Sequence, residues 1–226
     1  MTGQTNTAAN KKMLAIVFSV VILLSMGLGV VAGAQYFSPS SLNVTQLLPA
    51  PKSLPEFSLE NHRGQLVGPM QFKGQWSLVF FGFTSCPDFC PLELQKLAKV
   101  LALNENRELL SVVFISVDPE RDTREKLAGY VSFFSPGILG LRGGNGELAK
   151  VAQFFGAAYD RSVIIDGKVL TVPAGINMPT NAGDIYQVNH STRIFLVNPA
   201  AEFVGTFAPP FEAETLLADM QQLMGR

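Results

Sequence analysis

The 226-residue sequence is short of charge: 15% of it is Asp, Glu, Lys or Arg, the formal net charge is −1, and no basic run exceeds the pair Lys11-Lys12. Nucleic-acid binding needs clustered cations to displace counterions from phosphates, so that class of function is set aside. There is no internal repeat. Histidine and cysteine are scarce, two of each: His62, His190, Cys86 and Cys90. What the chain has in quantity is apolar residue, 47%, enough for one sizeable core and an accessory segment.

Between Lys12 and Lys52 there is no charged residue at all. Residues 13–34 (MLAIVFSVVILLSMGLGVVAGA) also lack a polar face, which argues against a helix of the core. A helix over that run would be roughly 33 Å long, enough to cross a hydrocarbon layer of about 30 Å. Ala32-Gly33-Ala34 has the small-x-small form of a cleavage site, so a removed signal peptide is the rival reading. A signal's apolar core spans only about 7–15 residues, which favours a retained transmembrane anchor. Lys11 and Lys12 place residues 1–12 in the cytoplasm and the rest of the chain outside it. No Arg-rich amphipathic presequence precedes the span, so the expected setting is a bacterial inner membrane, crossed once, with the C-terminal domain in the periplasm.

Residues 35–54 are rich in Ser and Pro without a clear period and read as an extended linker, with the folded domain over 55–226. Asn43-Val44-Thr45 has the form of a glycosylation acceptor, which carries no meaning in a bacterial setting. From residue 56 strands and helices alternate. Residues 56–59 and 65–67 flank the turn-like His62-Arg63-Gly64 and predict a hairpin. Residues 77–83 (SLVFFGF) and 111–117 (SVVFISV) are continuous apolar runs, the mark of strands buried on both faces. Helical spacing predicts helices over 91–103, 123–134, 147–159 and 212–224, the second with Asp122 as N-cap and Glu125 three residues on. Residues 163–172 predict a hairpin around Asp166-Gly167, and 192–198 and 202–206 a further strand pair. The sum is an α/β domain, a mixed sheet flanked by helices.

Cys86 and Cys90 fall in Ser85-Cys86-Pro87-Asp88-Phe89-Cys90-Pro91, between the first buried strand and its following helix. An ordinary disulfide staple is the plain alternative, since exported proteins use them often. Closing so short a loop removes only about 2 kcal/mol of unfolded-state entropy, against nearly 5 kcal/mol for a loop of about 100 residues. The pair is a poor staple. As a reactive pair it is well placed, because a helix N-terminus lowers a thiol pKa and positions four apart share a face.

The run Phe81-Gly82-Phe83-Thr84-Ser85-Cys86-Pro87-Asp88-Phe89-Cys90-Pro91 resembles the signature of the Sco (SenC) family, copper chaperones for assembly of cytochrome c oxidase. The likeness extends over roughly residues 55–224 and takes in 115–123 (ISVDPERDT), 141–159 (LRGGNGELAKVAQFFGAAY) and 186–191 (YQVNHS). It implies a thioredoxin fold, one N-terminal membrane anchor, and one copper per domain held by the two cysteines and a distal histidine. Motif to motif that histidine is His190. Two thiolates are soft donors that suit Cu(I), and an added imidazole makes a site for both Cu(I) and Cu(II). On its own residues alone, His190 reads as readily as a loop or capping histidine. Residues 188–192 contain no proline where thioredoxin relatives usually carry a cis-proline facing their thiols, which leaves room for an imidazole.

The sequence departs from the family pattern in places. Ser85 stands where many members have a histidine or an aromatic residue, and Asn189 where an acidic residue is common, which removes a carboxylate that could tune the site. Residues 161–185 form a longer stretch than the family pattern and contain Met178, a soft donor or a packing residue. His62 reads as a solvated loop residue. Asp118 either turns the chain or lies near the site, Asp88 is either a helix N-terminal acid or a partner-docking residue, and Phe80, Phe81 and Phe83 read as core. Two functions stay open. One is a metallochaperone that delivers copper to the copper-A-bearing subunit of cytochrome c oxidase, itself supplied by a periplasmic copper donor. The other is an enzyme, a thiol-disulfide oxidoreductase that reduces that subunit's cysteines, for which Cys86, Cys90 and a thiol reductant suffice.

Overall fold

The structure, a computed structural model, describes residues 5–36, 42–106 and 108–225; within the first stretch the described side chains are those of residues 13, 14 and 16–29. Residues 1–4 and 37–41, read above as parts of the cytoplasmic end and the linker, lie outside the described residues. The chain divides into two units, Met1–Ser41 and Leu42–Arg226. The first is one helix, α1 (Thr5–Tyr36), whose described apolar side chains, Leu14, Phe18, Leu23 and Leu28 among them, are exposed. Among the described residues no helix is long and apolar enough to cross a membrane.

The second unit begins with β1 (Gln46–Ser53), β2 (Leu59–Asn61), β3 (Leu66–Val67) and β4 (Trp76–Gly82). Helix α2 (Phe89–Leu103) leads to β5 (Leu110–Ser116), α3 (Arg124–Phe134) to β6 (Ile138–Arg142), and α4 (Asn145–Phe155) to a hairpin of β7 (Tyr159–Ile165) and β8 (Lys168–Pro173). The chain then forms β9 (Gln187–His190), β10 (Ile194–Val197), β11 (Glu202–Phe207) and α5 (Ala213–Met224). Eight strands make one mixed sheet in the order β1-β11-β10-β4-β5-β6-β2-β3, and β8-β7-β9 make a second, small sheet.

β4 and β5 pair in parallel at the centre of the large sheet and are buried on both faces, as their unbroken apolar runs require. The period of two sends alternate rings to opposite sides. Phe81 packs with Phe195 and with Phe155 of α4, while Phe80 turns to Phe114, which meets Tyr130 of α3 on the other face. The β7–β8 hairpin turns on Asp166 and Gly167, at φ 50° and 71°, the left-handed pair that a two-residue hairpin needs.

Several expectations change. The linker reading fails for its second half: Gln46–Ser53 pairs antiparallel with β11. Its two prolines hid it, and an edge strand with a register shift between Leu47 and Lys52 tolerates them. The close approach depends on Gly205, where a Cβ would lie 2.7 Å from the Gln46 carbonyl oxygen. Thr123, not Asp122, caps α3, its side chain accepting from the Lys126 N–H. The helix expected over 147–159 is α4, which stops at Gly156 in a left-handed cap, so that Tyr159 is free to open β7. β6 and β9 escape notice in the sequence because they are short and flanked by glycines or by a loop.

Ahead of β1 the chain is clasped by Asp219, wholly buried on α5. One carboxylate oxygen accepts from the Asn43 N–H at 2.7 Å and from its side-chain amide at 2.8 Å; the other accepts from the Val44 and Thr45 N–H groups, each at 2.9 Å. Burial pushes this carboxyl up, but the hydrogen bonds outweigh it and hold its pKa below the usual value. Asp219→Ala is expected to cost at least about 1–3 kcal/mol by stranding those donors. Because the folded-state pKa is the lower one, the clasp contributes fully above the unfolded value, near pH 4, and is lost as the pH falls through the folded one. Urea unfolding at pH 7 and in acid, wild type against variant, checks both: the gap should be widest at neutral pH and narrow in acid.

Candidate metal centre

The thiols sit where β4 leaves the sheet and α2 begins, at the carboxyl ends of the central parallel strands, where open α/β sheets present their sites. Gly82 closes β4 because nothing larger fits: a Cβ there would stand 2.7 Å from the Phe114 ring and 2.8 Å from Cys90 Sγ. Cys90 is therefore wholly buried in the first turn of α2, and Cys86 lies half-buried in the turn before it. Both are free thiols. His190 ends β9, paired across from Tyr159 of β7. Its Nδ1 lies 2.9 Å from the Ser191 carbonyl, which can only accept, so Nδ1 carries the ring proton, and Nε2 lies 3.3 Å from Cys90 Sγ. The rings of Phe83 and Phe80 meet the imidazole edge-on at 5.7 and 6.0 Å and hold its plane. The donor atoms of Cys86, Cys90 and His190 all lie within 4.8 Å of one another.

The two thiols differ in acidity. Hydrogen bonding from the Cys90 thiol pushes the Cys86 pKa down to about 5 against partial burial, and the Cys90 N–H at the start of α2 adds to it at 3.5 Å. The same hydrogen bond and burial raise the Cys90 thiol far above its ordinary value. In the free protein the pair is one exposed-side thiolate and one buried, protonated thiol. A cation arriving between them would replace the shared proton. Two sulfurs and an imidazole nitrogen, with no carboxylate among them, form a soft donor set completed by a borderline one, which fits copper in either oxidation state.

Around this centre lie residues that sequence reasoning placed loosely or missed. Asp118 is wholly buried and accepts from the Tyr186 hydroxyl and from Arg121 Nε at 2.6 Å. Asp122, expected as a cap, is a buried bracket instead: it accepts from the Thr84 N–H at 2.9 Å, the Thr84 hydroxyl at 2.6 Å and the Ser116 hydroxyl at 2.6 Å, tying the cysteine turn to the end of β5. Ser85 accepts from Lys126 Nζ at 2.8 Å. Asp88 stands at the N-cap of α2 without a side-chain cap bond, and Asn189 donates to Asp160 at 2.8 Å. The Met178 N–H donates to Glu120, and Met178 lines a cavity with Arg142 and Asn177 that neither cysteine lines. His62 is half-buried, not solvated, its Nδ1 accepting from the Gly140 N–H at 3.1 Å, and it does not join the Cys-Cys-His group. The signal for Asp118, Arg121 and Asp122 was in the stretch 115–123, which carries four charges immediately after an apolar strand.

Fold and centre together define a class: a thioredoxin-like α/β domain with a CxxxC thiol pair at a strand–helix junction and a histidine brought in from a later strand. The model of the SCO1/SenC family matches residues 46–225, and the chain belongs to that family. It is 37% identical over 172 residues to the mitochondrial SCO2 homolog of Bos taurus, a match that covers 75% of this chain and 59% of that protein. The matched stretch thus spans less than two thirds of that relative's own length. A putative copper-binding protein of Stutzerimonas stutzeri is 31% identical over 180 residues, covering 79% of this chain and 80% of the other. Among solved structures, Bradyrhizobium japonicum ScoI with copper bound is similar at 32% identity and a TM-score of 0.62, covering 75% of this chain and 98% of that one.

The asymmetry of the thiols has a direct readout. Alkylation of Cys86 by iodoacetamide should rise to half its maximal rate near pH 5. In Cys90→Ala, which removes the first cause of the shift, the midpoint should move up towards the ordinary thiol value of about 8.5. A wild-type midpoint already at that value would contradict the assignment.

Proposed function

We propose that this chain is a copper-binding metallochaperone that helps assemble the dinuclear copper centre of cytochrome c oxidase. The observation that carries the reading is the convergence of Cys86, Cys90 and His190 donor atoms within 4.8 Å. Copper is the cargo, one ion per domain, held by two thiolates and the His190 imidazole. The three donors are not equivalent. The thiolates suffice for Cu(I), whereas the borderline nitrogen is what extends the site to Cu(II). The oxidase destination is supported by membership of the SCO1/SenC family and by the oxidase-assembly role that the resemblance implies. The partner that receives copper is the copper-A-bearing subunit, and a periplasmic copper donor or thiol reductant precedes it.

Residues 13–34 anchor the chain in a bacterial inner membrane, with residues 1–12 in the cytoplasm and the copper-binding domain in the periplasm. Support comes from the charge-free run and from Lys11-Lys12 before it. The full chain should stay in the membrane fraction after high-salt and alkaline washing. N-terminal sequencing of the mature protein that starts at Gln35 would replace the anchor with a cleaved signal.

A second reading, a thiol-disulfide oxidoreductase, is favoured by the low Cys86 pKa beside a buried partner thiol. The Cys86 thiolate would attack a partner disulfide, and Cys90 would then resolve the mixed disulfide. The partner leaves as a dithiol and Cys86–Cys90 as a disulfide, to be reset by an external thiol reductant. His190→Ala separates the two. Under the copper reading, the reduced variant keeps about one Cu(I) but binds Cu(II) more than about 100-fold more weakly, beyond what losing an outer-shell partner costs. Oxidase activity at low copper, in cells lacking the wild-type chain, should then fall nearly as far as with Cys86→Ser. Near-normal activity in the histidine variant at matched expression would move the function to thiol reduction.

A further inference from the structure

His190 and the thiols belong to different sheets. The cysteines follow β4 of the large sheet, while His190 ends β9, an outer strand of the small one. Something must hold the two sheets in register at the centre. On the far side of His190 the chain runs directly into β10 of the large sheet. On the near side, ahead of β9, the ties seen among the described residues are the Arg121 guanidinium and the Tyr186 hydroxyl, both of which meet Asp118.

Arg121 lies in the loop between β5 and α3. Its Nη1 donates to the main-chain carbonyls of Asp184 at 3.2 Å and Tyr186 at 3.1 Å, the residues that lead into β9. Its Nε donates to Asp118 at the end of β5. Its Cζ lies over the Tyr186 ring, 3.8 Å from the centroid, and 5.8 Å from the centroid of the Phe83 ring; Phe83 in turn abuts the His190 imidazole. Tyr186 returns to the same anchor through its hydroxyl on Asp118. Planarity, several donors and a stackable face are combined only in Arg; Lys offers one point charge.

We infer that Arg121 is a positioning residue for His190, pinning the entry to β9 onto the large sheet and so setting the imidazole's place against the two thiols. This rests on the metal-binding reading of the site. The role is geometric and exists before any cargo arrives, so it can be read in the free protein.

The test compares wild type with Arg121→Gln in the full chain by hydrogen–deuterium exchange and by copper binding. Exchange over residues 186–190 should accelerate on the order of tenfold while residues 78–81 in β4 keep their protection, a local and not a global opening. Cu(II) should bind about tenfold more weakly, with Cu(I) held as in wild type, the size of effect that losing an outer-shell orienting group produces. Unchanged exchange over 186–190 would overturn the inference. So would equal acceleration everywhere, which marks a merely structural arginine. Should the Gln variant not fold, Arg121→Lys keeps a cation against buried Asp118 but cannot also reach both carbonyls, and the same readings apply. If wild type itself takes up no copper, the metal reading fails, and exchange alone decides whether Arg121 holds β9.

Discussion

Cys90 is buried against Gly82, and the rest of the centre is arranged around that contact. The absent side chain at the end of β4 lets α2 start close to the sheet, which puts its first-turn N–H groups behind the thiols. Close approach leaves Cys90 no water and one shared proton, and that in turn makes Cys86 the acidic partner. Phe114 packs on the other side of the same gap, so the buried thiol is gripped between the sheet and the aromatic layer under α3. The asymmetry of the pair is thus a packing result before it is an electrostatic one.

Much of this was legible in the residues. The two central strands announced themselves as apolar runs because both faces are covered. The thiol pair stood out because five residues make a weak staple and a strand–helix junction makes a reactive one. His190 was a different matter, since nothing in its own neighbourhood distinguishes it from a loop histidine. Its place depends on β9 pairing with β7, residues 159–162 against 187–190, a long-range match with no local pattern. β1 was hidden by Pro49 and Pro51, and Asp122 was mistaken for a cap because a carboxyl before a helix usually is one. Here the carboxylate instead gathers Thr84 and Ser116, which lie 38 and 6 residues away in the chain.

The small sheet makes the centre a composite. One half, the thiols, rides on the best-buried part of the fold. The other half rides on β9, short and edge-placed, with Asn189 exposed and His190 only part-buried. Under the proposed chaperone role such a division would suit uptake and release of an ion, because the hard-packed half can hold while the lighter half gives. The stretch between β8 and β9 is itself fastened by Arg161, wholly buried on β7, which pairs with Glu120 at 2.7 Å and also donates to the Ile176 carbonyl. Freedom around His190 is therefore confined to a few residues.

The Asp219 clasp has a mechanical meaning. A pull on the chain ahead of Leu42 would reach four hydrogen bonds converging on one carboxylate before it reached β1. Edge strands pulled from one end part like a zipper, one pair at a time, whereas bonds gathered on a single side chain must fail together. Tension on a tether would be absorbed at α5, and the sheet that carries the thiols would be spared the strain.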